Sequence, residues 1–213
     1  LSLFGWLSDI MRQMMEALFG FIGNWGLAII VMTLALRVVL LPLTASGMRS
    51  SFKMQEVNAE VNELKKKYKK DSEALNRATM ELWKKHGVNP FAGCLTMLAQ
   101  LPVIFGFIGA LRNYEFAGNA AFLWIPNLAL PDPFYILPVL AAVGTYVQSK
   151  LTTPTTDSSM QAMTYMFPVM VLMFGVKMAS AFTLYWVASS AFAVVERYII
   201  IRPAAKAEKS EKA

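Results

Sequence analysis

Between Pro90 and Leu111 the chain runs 22 residues without a charge, and between Ser158 and Val195 Lys177 is the one charge in 38 residues. About 20 mostly apolar residues are enough for a helix to cross the ~30 Å hydrocarbon core of a bilayer. These stretches restrict the chain to a membrane protein built from helices. Composition agrees. Hydrophobic residues make up 56% and charged ones 16%, against roughly 45–50% and about 25% in soluble domains. That balance excludes a secreted globule and a disordered tail. The charges are also crowded, with 16 of them between Ala45 and Gly87.

Five spans are expected, at 23–44, 89–112, 133–150, 161–176 and 178–198, with Lys177 in a tight turn between the last two. Asn89-Pro90 supplies an N-cap and a first-turn proline for the second span. Cytoplasmic flanks retain Lys and Arg. Segment 45–88, Lys150 at the end of the third span and the tail, counted from Arg197, hold sixteen basic residues, against three on the opposite side (Arg12, Arg112, Lys177). The N-terminus is therefore expected outside the cell membrane and the basic tail, 199–213, inside. The net charge of +6 is a topology signal, and sequence-specific nucleic-acid binding is not called for. Residues 1–22 place Leu3, Leu7, Ile10, Met14, Leu18 and Phe21 at helical spacing, which predicts an amphipathic helix on the outer leaflet. Loop 113–132 is then also outside. The start at Leu1, without a methionine, leads us to expect sequence upstream.

Within 45–88, Met54, Val57, Val61, Leu64 and Tyr68 form a narrow apolar seam, and Asp71-Ser72-Glu73 offers the N-cap of a second helix carrying Leu75, Ala78 and Leu82. An antiparallel hairpin of about six turns and then four is expected. Lys65, Lys66, Lys67, Lys69 and Lys70 cluster at its tip. They suit a solvated tip near anionic lipid, or a docking surface for incoming chains, the ribosome or headgroups.

Arg37 lies inside the first span. A central arginine costs roughly 2.5–3.5 kcal/mol on insertion scales and usually faces a partner or a water-filled cavity. Two readings fit: snorkelling to the cytoplasmic interface, or a hydrated cavity open to the cytoplasm. Polar residues on other faces could line such a cavity. Thr33 and Thr44 share a face with Arg37, Thr96 goes with Gln100, Thr145 with Gln148, and Ser180, Thr183, Trp186 and Ser190 form a stripe on the fifth span. Met163, Met166, Met170 and Met173 form another on the fourth, suited to ordinary packing or to a pliable surface for varied partners.

Catalytic and metal-binding patterns are missing: one histidine (His86), one cysteine (Cys94), no H-E-x-x-H, no G-x-S-x-G and no phosphate-binding glycine loop. No cofactor and no enzymatic activity are expected.

Gly23-Asn24-Trp25-Gly26 leading to Arg37 and Leu41-Pro42-Leu43-Thr44 resembles the first core span of the YidC-type membrane protein insertases. Val88-Asn89-Pro90 with Gly93-Cys94, Gln100-Leu101-Pro102, the run Asp132 to Pro138, and Leu184-Tyr185-Trp186 follow in family order. The resemblance implies five core spans around a hydrophilic groove, open to cytoplasm and lipid and sealed outside. It implies a basic residue where Arg37 stands, with Thr33 and Trp186 facing a passing substrate helix. It leaves Gram-positive and Gram-negative subgroups open. The expected groove residues are Thr33, Arg37, Gln100, Gln148, Thr183, Trp186 and Ser190. The expected function is insertion of nascent membrane proteins into the bilayer, with the ribosome and the general translocation channel as candidate partners. The alternatives are a small-anion transporter or channel using Arg37 as its binding charge, and a purely structural assembly subunit.

Overall fold

A computed structural model describes residues 3–69, 71–87, 92–112, 114–152 and 158–201. Helix α1 (Leu3–Ile22) and helix α2 (Trp25–Glu56) meet at Gly23, whose φ of +70° is open to glycine at no steric cost. The Asn24 side chain caps α2 by accepting from the Leu27 N–H at 3.0 Å. At 32 residues, α2 is the one helix among the described residues that is both long and apolar enough to cross a membrane by itself. Shorter apolar runs cover Gln100–Leu111, Ile136–Leu151 and Thr164–Gly175.

The helix does not end with the apolar run at residue 44. Nothing between Thr44 and Glu56 interrupts the helical hydrogen bonds, so α2 continues for three more turns beyond the apolar run and breaks only at Val57. The hairpin proper is shorter than its seam suggested, with α3 (Asn58–Lys67) of ten residues and α4 (Ser72–Lys85) of fourteen. Asp71 caps α4 by accepting from the Ala74 N–H at 2.9 Å. Val57 and Val61 are buried, Met54, Leu64 and Tyr68 half-buried. His86 Nε2 lies 3.5 Å from Glu60 Oε1, tying the end of α4 to the start of α3.

Helices α5 (Ala92–Leu111), α6 (Ile136–Thr152), α7 (Ser158–Gly175) and α8 (Ser180–Val195) complete the bundle. The last continues as a π-helical turn, Glu196–Ile201. The expected N-cap at Asn89-Pro90 lies outside the described residues, as do the tail basic residues beyond Ile201. Among the described residues there is no strand beyond an isolated bridge, Phe122 to Ile125.

Helix α1 packs along α5 and α2 through a face beside the apolar stripe expected at the outer leaflet. Ser8, Met11 and Met15 are buried, while Ile10 is half-buried and Phe21 is 91% exposed. The cause is on α5. Gly106 and Gly109 have no side chains, so Leu7, Met11 and Ser8 sit where their β-carbons would be. Close approach to those glycines sets which face of α1 meets α5.

The apolar core fills the end of the bundle near loop 114–135. It joins Met11, Met15, Trp25, Ile29, Met32, Phe107, Ile125, Leu128 and Tyr185. Trp25 stacks on Phe19 with ring centroids 3.9 Å apart and meets Tyr114 and Phe116 edge-on. Its indole N–H donates to the Ala117 carbonyl at 2.9 Å. Helix α8 begins beneath the same loop: the Ser180 and Ala181 N–H groups donate to the Leu130 and Leu128 carbonyls at 2.8 and 2.9 Å. Those donors would otherwise be orphaned at a helix start. Asp132 performs the same service for α6, accepting from Phe134 N, Leu137 N and the Trp124 indole. This end of the bundle is closed by aromatic packing and satisfied backbone.

Candidate functional site: the buried arginine

Away from that core, the contacts between α2 and α8 turn polar. Arg37 is 8% exposed. Its Nε and Nη2 both donate to the Ser189 hydroxyl oxygen, at 2.9 and 2.5 Å. Seven residues further along each helix, the Thr44 hydroxyl meets Glu196 Oε1 at 2.5 Å. Both links join residues 152 apart in sequence, and Thr33 with Tyr185, at the same offset, line one pocket with Arg37. A constant offset means that α2 and α8 run parallel and in register. A seven-residue step keeps partners facing across such a pair. The seam therefore carries polar layers one heptad apart.

The pocket is lined by Thr33, Leu36, Arg37, Leu40, Gln100, Val103, Tyr185 and Ser189. The described side chains leave no room in it for a water molecule. Gln100 Nε2 donates to Tyr185 Oη at 2.6 Å, and Phe107 packs on the Tyr185 ring with centroids 4.8 Å apart. Thr33 turns its hydroxyl back to the Ile29 carbonyl at 2.7 Å. Among the described residues no carboxylate lies within ion-pair distance of Arg37. A buried cation held by one neutral hydroxyl is under-compensated, since burying a charge is favourable only when it is paired and hydrogen-bonded. The site is therefore suited to receiving an anionic or strongly polar group.

Three of the expected groove residues, Thr33, Arg37 and Gln100, come together here. The stripe on α8 points elsewhere. Trp186 donates its indole N–H to Thr145 Oγ1 of α6 at 2.9 Å, Ser190 packs against Gly144 of α6, and Thr183 bonds back to the Ala179 carbonyl at 3.4 Å. These residues lie about 100° around the helix from the pair that meets Arg37. The pair is Tyr185 and Ser189, which residue-type reasoning passed over, although they sit one turn apart on a single face. Gln148 is half-buried on α6 and does not line the arginine pocket. The side chains of Thr96, Cys94 and Met163 lie outside those described.

Toward the far end of α2 a second polar group closes the seam. The Arg197 guanidinium stacks 4.1 Å from the centroid of Phe52, and its Nη2 donates to Gln55 Oε1 at 3.3 Å. Gln55 in turn donates to the Leu151 carbonyl of α6 at 3.3 Å. At the hairpin tip, Lys66, Lys67 and Lys69 are exposed and Lys65 is half-buried, while Lys70 falls outside the described residues. Met166, Met170 and Met173 are 66, 46 and 67% exposed on the outer face of α7.

The family described as 60Kd inner membrane protein matches residues 17–208. A protein named Membrane protein insertase YidC from Fusobacterium nucleatum is 40% identical over 185 residues, covering 87% of this chain and 90% of its own. One of the same name from Caldanaerobacter subterraneus is 40% identical over 190 residues, covering 89% and 91%. Among solved structures, a crystal structure of active YidC insertase with its first transmembrane domain resolved superposes with a TM-score of 0.73 at 26% identity. That match covers 91% of this chain and 47% of the other.

Proposed function

Because the chain belongs to the 60Kd inner membrane protein family, whose matched relatives are named membrane protein insertases, we propose that it inserts nascent membrane proteins and that Arg37 captures their polar outer segments. Helices α2, α5, α6, α7 and α8 are the five spans in this reading, with α1 lying at the outer leaflet and the α3–α4 hairpin in the cytoplasm. The sixteen-to-three bias of basic residues supports that orientation.

The observation that carries the proposal is the under-compensated Arg37, held between α2, α5 and α8 in the half of the bundle away from the aromatic closure. The Ser189 hydroxyl is a placeholder. An acidic segment arriving from the cytoplasm parts the seam and replaces Ser189 as acceptor, turning an ion–hydroxyl contact into an ion pair that the guanidinium fork can hold through two parallel bonds. The segment is thereby spared the full hydrocarbon barrier, while its apolar partner moves into lipid beside the exposed faces of α6 and α7. Burying ~20 apolar residues is itself downhill, so no nucleotide is required.

The test is insertion into proteoliposomes of a single-span substrate with an acidic outer tail. Arg37→Ala should abolish most insertion and Arg37→Lys should retain most of it. Equal insertion by wild type and Arg37→Ala would refute capture by charge.

A further inference from the structure

Glu196 is fully buried at the first residue of the π-helical turn. One of its carboxylate oxygens takes the Thr44 hydroxyl, and the other has no hydrogen-bond partner among the described residues. A carboxylate in that position has given up its water for a single hydroxyl, and a lone buried charge is strongly destabilising unless an opposite charge compensates it. The seam supplies one in part, Arg37, too far off for an ion pair. Glu196 stands one heptad from Ser189, and Thr44 one heptad from Arg37. At 1.5 Å per residue the two layers are about 10 Å apart along the helix axes. At that distance in a low-dielectric interior, with no salt between them, opposite charges still attract appreciably.

We infer that Glu196 is the resident counter-charge of Arg37, a specificity-determining residue that limits how tightly the arginine holds an acidic segment. The inference rests on capture at Arg37 as proposed above. An incoming carboxylate is attracted by Arg37 and repelled by Glu196, which lies on the cytoplasmic side of the same seam. Weakly polar segments feel neither term strongly. The carboxylate therefore sets how steeply capture depends on acidity, and it hastens release once the apolar segment has left for lipid. Thr44 acts differently: it holds the carboxylate in place and carries no charge of its own.

The experiment uses the full chain in proteoliposomes with a photo-crosslinker at Leu36, which lines the arginine pocket. Two single-span nascent chains serve as probes, one with a short acidic cluster in its outer segment and one with none. Glu196→Gln keeps the hydrogen bond and removes the charge. It should raise the acidic-to-neutral crosslinking ratio several-fold and slow completed insertion of the acidic chain. Glu196→Asp and Thr44→Val, which keep the charge, should hold the wild-type ratio. If Glu196→Gln does not fold, the pair Glu196→Asn and Glu196→Asp makes the same comparison, with only Asn raising the ratio. An unchanged ratio in the charge-removing variant overturns the inference. So does a Thr44→Val ratio that rises as far as that of Glu196→Gln, because the tie would then matter and the charge would not. Arg37→Ala separates the two levels. If it leaves acidic capture intact, the proposed function fails and this inference with it. If it abolishes capture while Glu196→Gln changes nothing, only the counter-charge fails.

Discussion

Arg37 has its Nε and Nη2 on a single hydroxyl, so removing that hydroxyl leaves buried donors unpaired. Ser189→Ala should cost about 1–3 kcal/mol of stability, measured as a lower unfolding temperature in detergent, and should favour substrate capture, because the competing acceptor is gone. A different residue-scale effect belongs to the loop end. Burial pushes the Tyr114 phenol up to about 12, the charge of Glu16 and its hydrogen bond add in the same direction, and Arg12 opposes them. Tyr114 donates to Glu16 Oε1 at 3.3 Å, so the neutral phenol is the form the fold favours. A raised pKa contributes stability that is complete below the unfolded value of about 10 and is lost as pH rises above it through the folded value. Glu16→Gln should lower the Tyr114 midpoint, read as the difference in tyrosinate absorbance between each protein and its Tyr114→Phe counterpart.

At the scale of elements, the contacts that fix α1 and the loop are made by missing side chains. A β-carbon at Gly26 would overlap the Phe122 ring, and one at Gly109 would overlap the Ser8 hydroxyl. Gly26→Ala should therefore cost about 1–3 kcal/mol as overpacking, visible as an earlier thermal transition, and Gly109→Val should lift α1 from α5 and expose their junction to protease. Helix existence was largely legible in the sequence, since long charge-poor runs and Asp71 are direct signals. Helix rotation was not. In α8, polar residues fall on two faces (Ser180, Thr183 and Ser190 on one, Tyr185 and Ser189 on another), so periodicity could not choose the face toward Arg37. The chosen face depends on where α2 and α6 lie, which is a tertiary fact. The extension of α2 to Glu56 was hidden for a related reason: a hydropathy change marks where apolar surroundings end, and a helix can continue past it.

For the molecule as a whole, the two ends of the seam differ. One is shut by Trp25, Phe19, Tyr114 and Phe116 under loop 114–135. The other is held by the isolated polar ties Thr44–Glu196 and Gln55–Arg197. Opening from the second end disturbs few contacts, whereas opening from the first would unstack an aromatic cluster. Cysteines replacing Thr33, Leu36 and Gln100 should therefore crosslink a stalled nascent chain more than cysteines replacing Ala35 or Val39, which face outward from α2. A cysteine at Trp186 should give an intermediate yield, because its indole packs on α6.

The in-register pairing of α2 with α8 also has a consequence for how the protein is made. Arg37 and Ser189 are 152 residues apart. At 5–20 residues per second, synthesis brings the partner about 8–30 s after the arginine. Throughout that interval the first span must reside in or beside the membrane with its cation unanswered, which favours a shallow position with the side chain reaching the headgroups until the last span arrives. The arginine site is thus assembled only once α8 has been made, and a chain truncated before α8 should leave α2 displaced toward the headgroups that its arginine can reach.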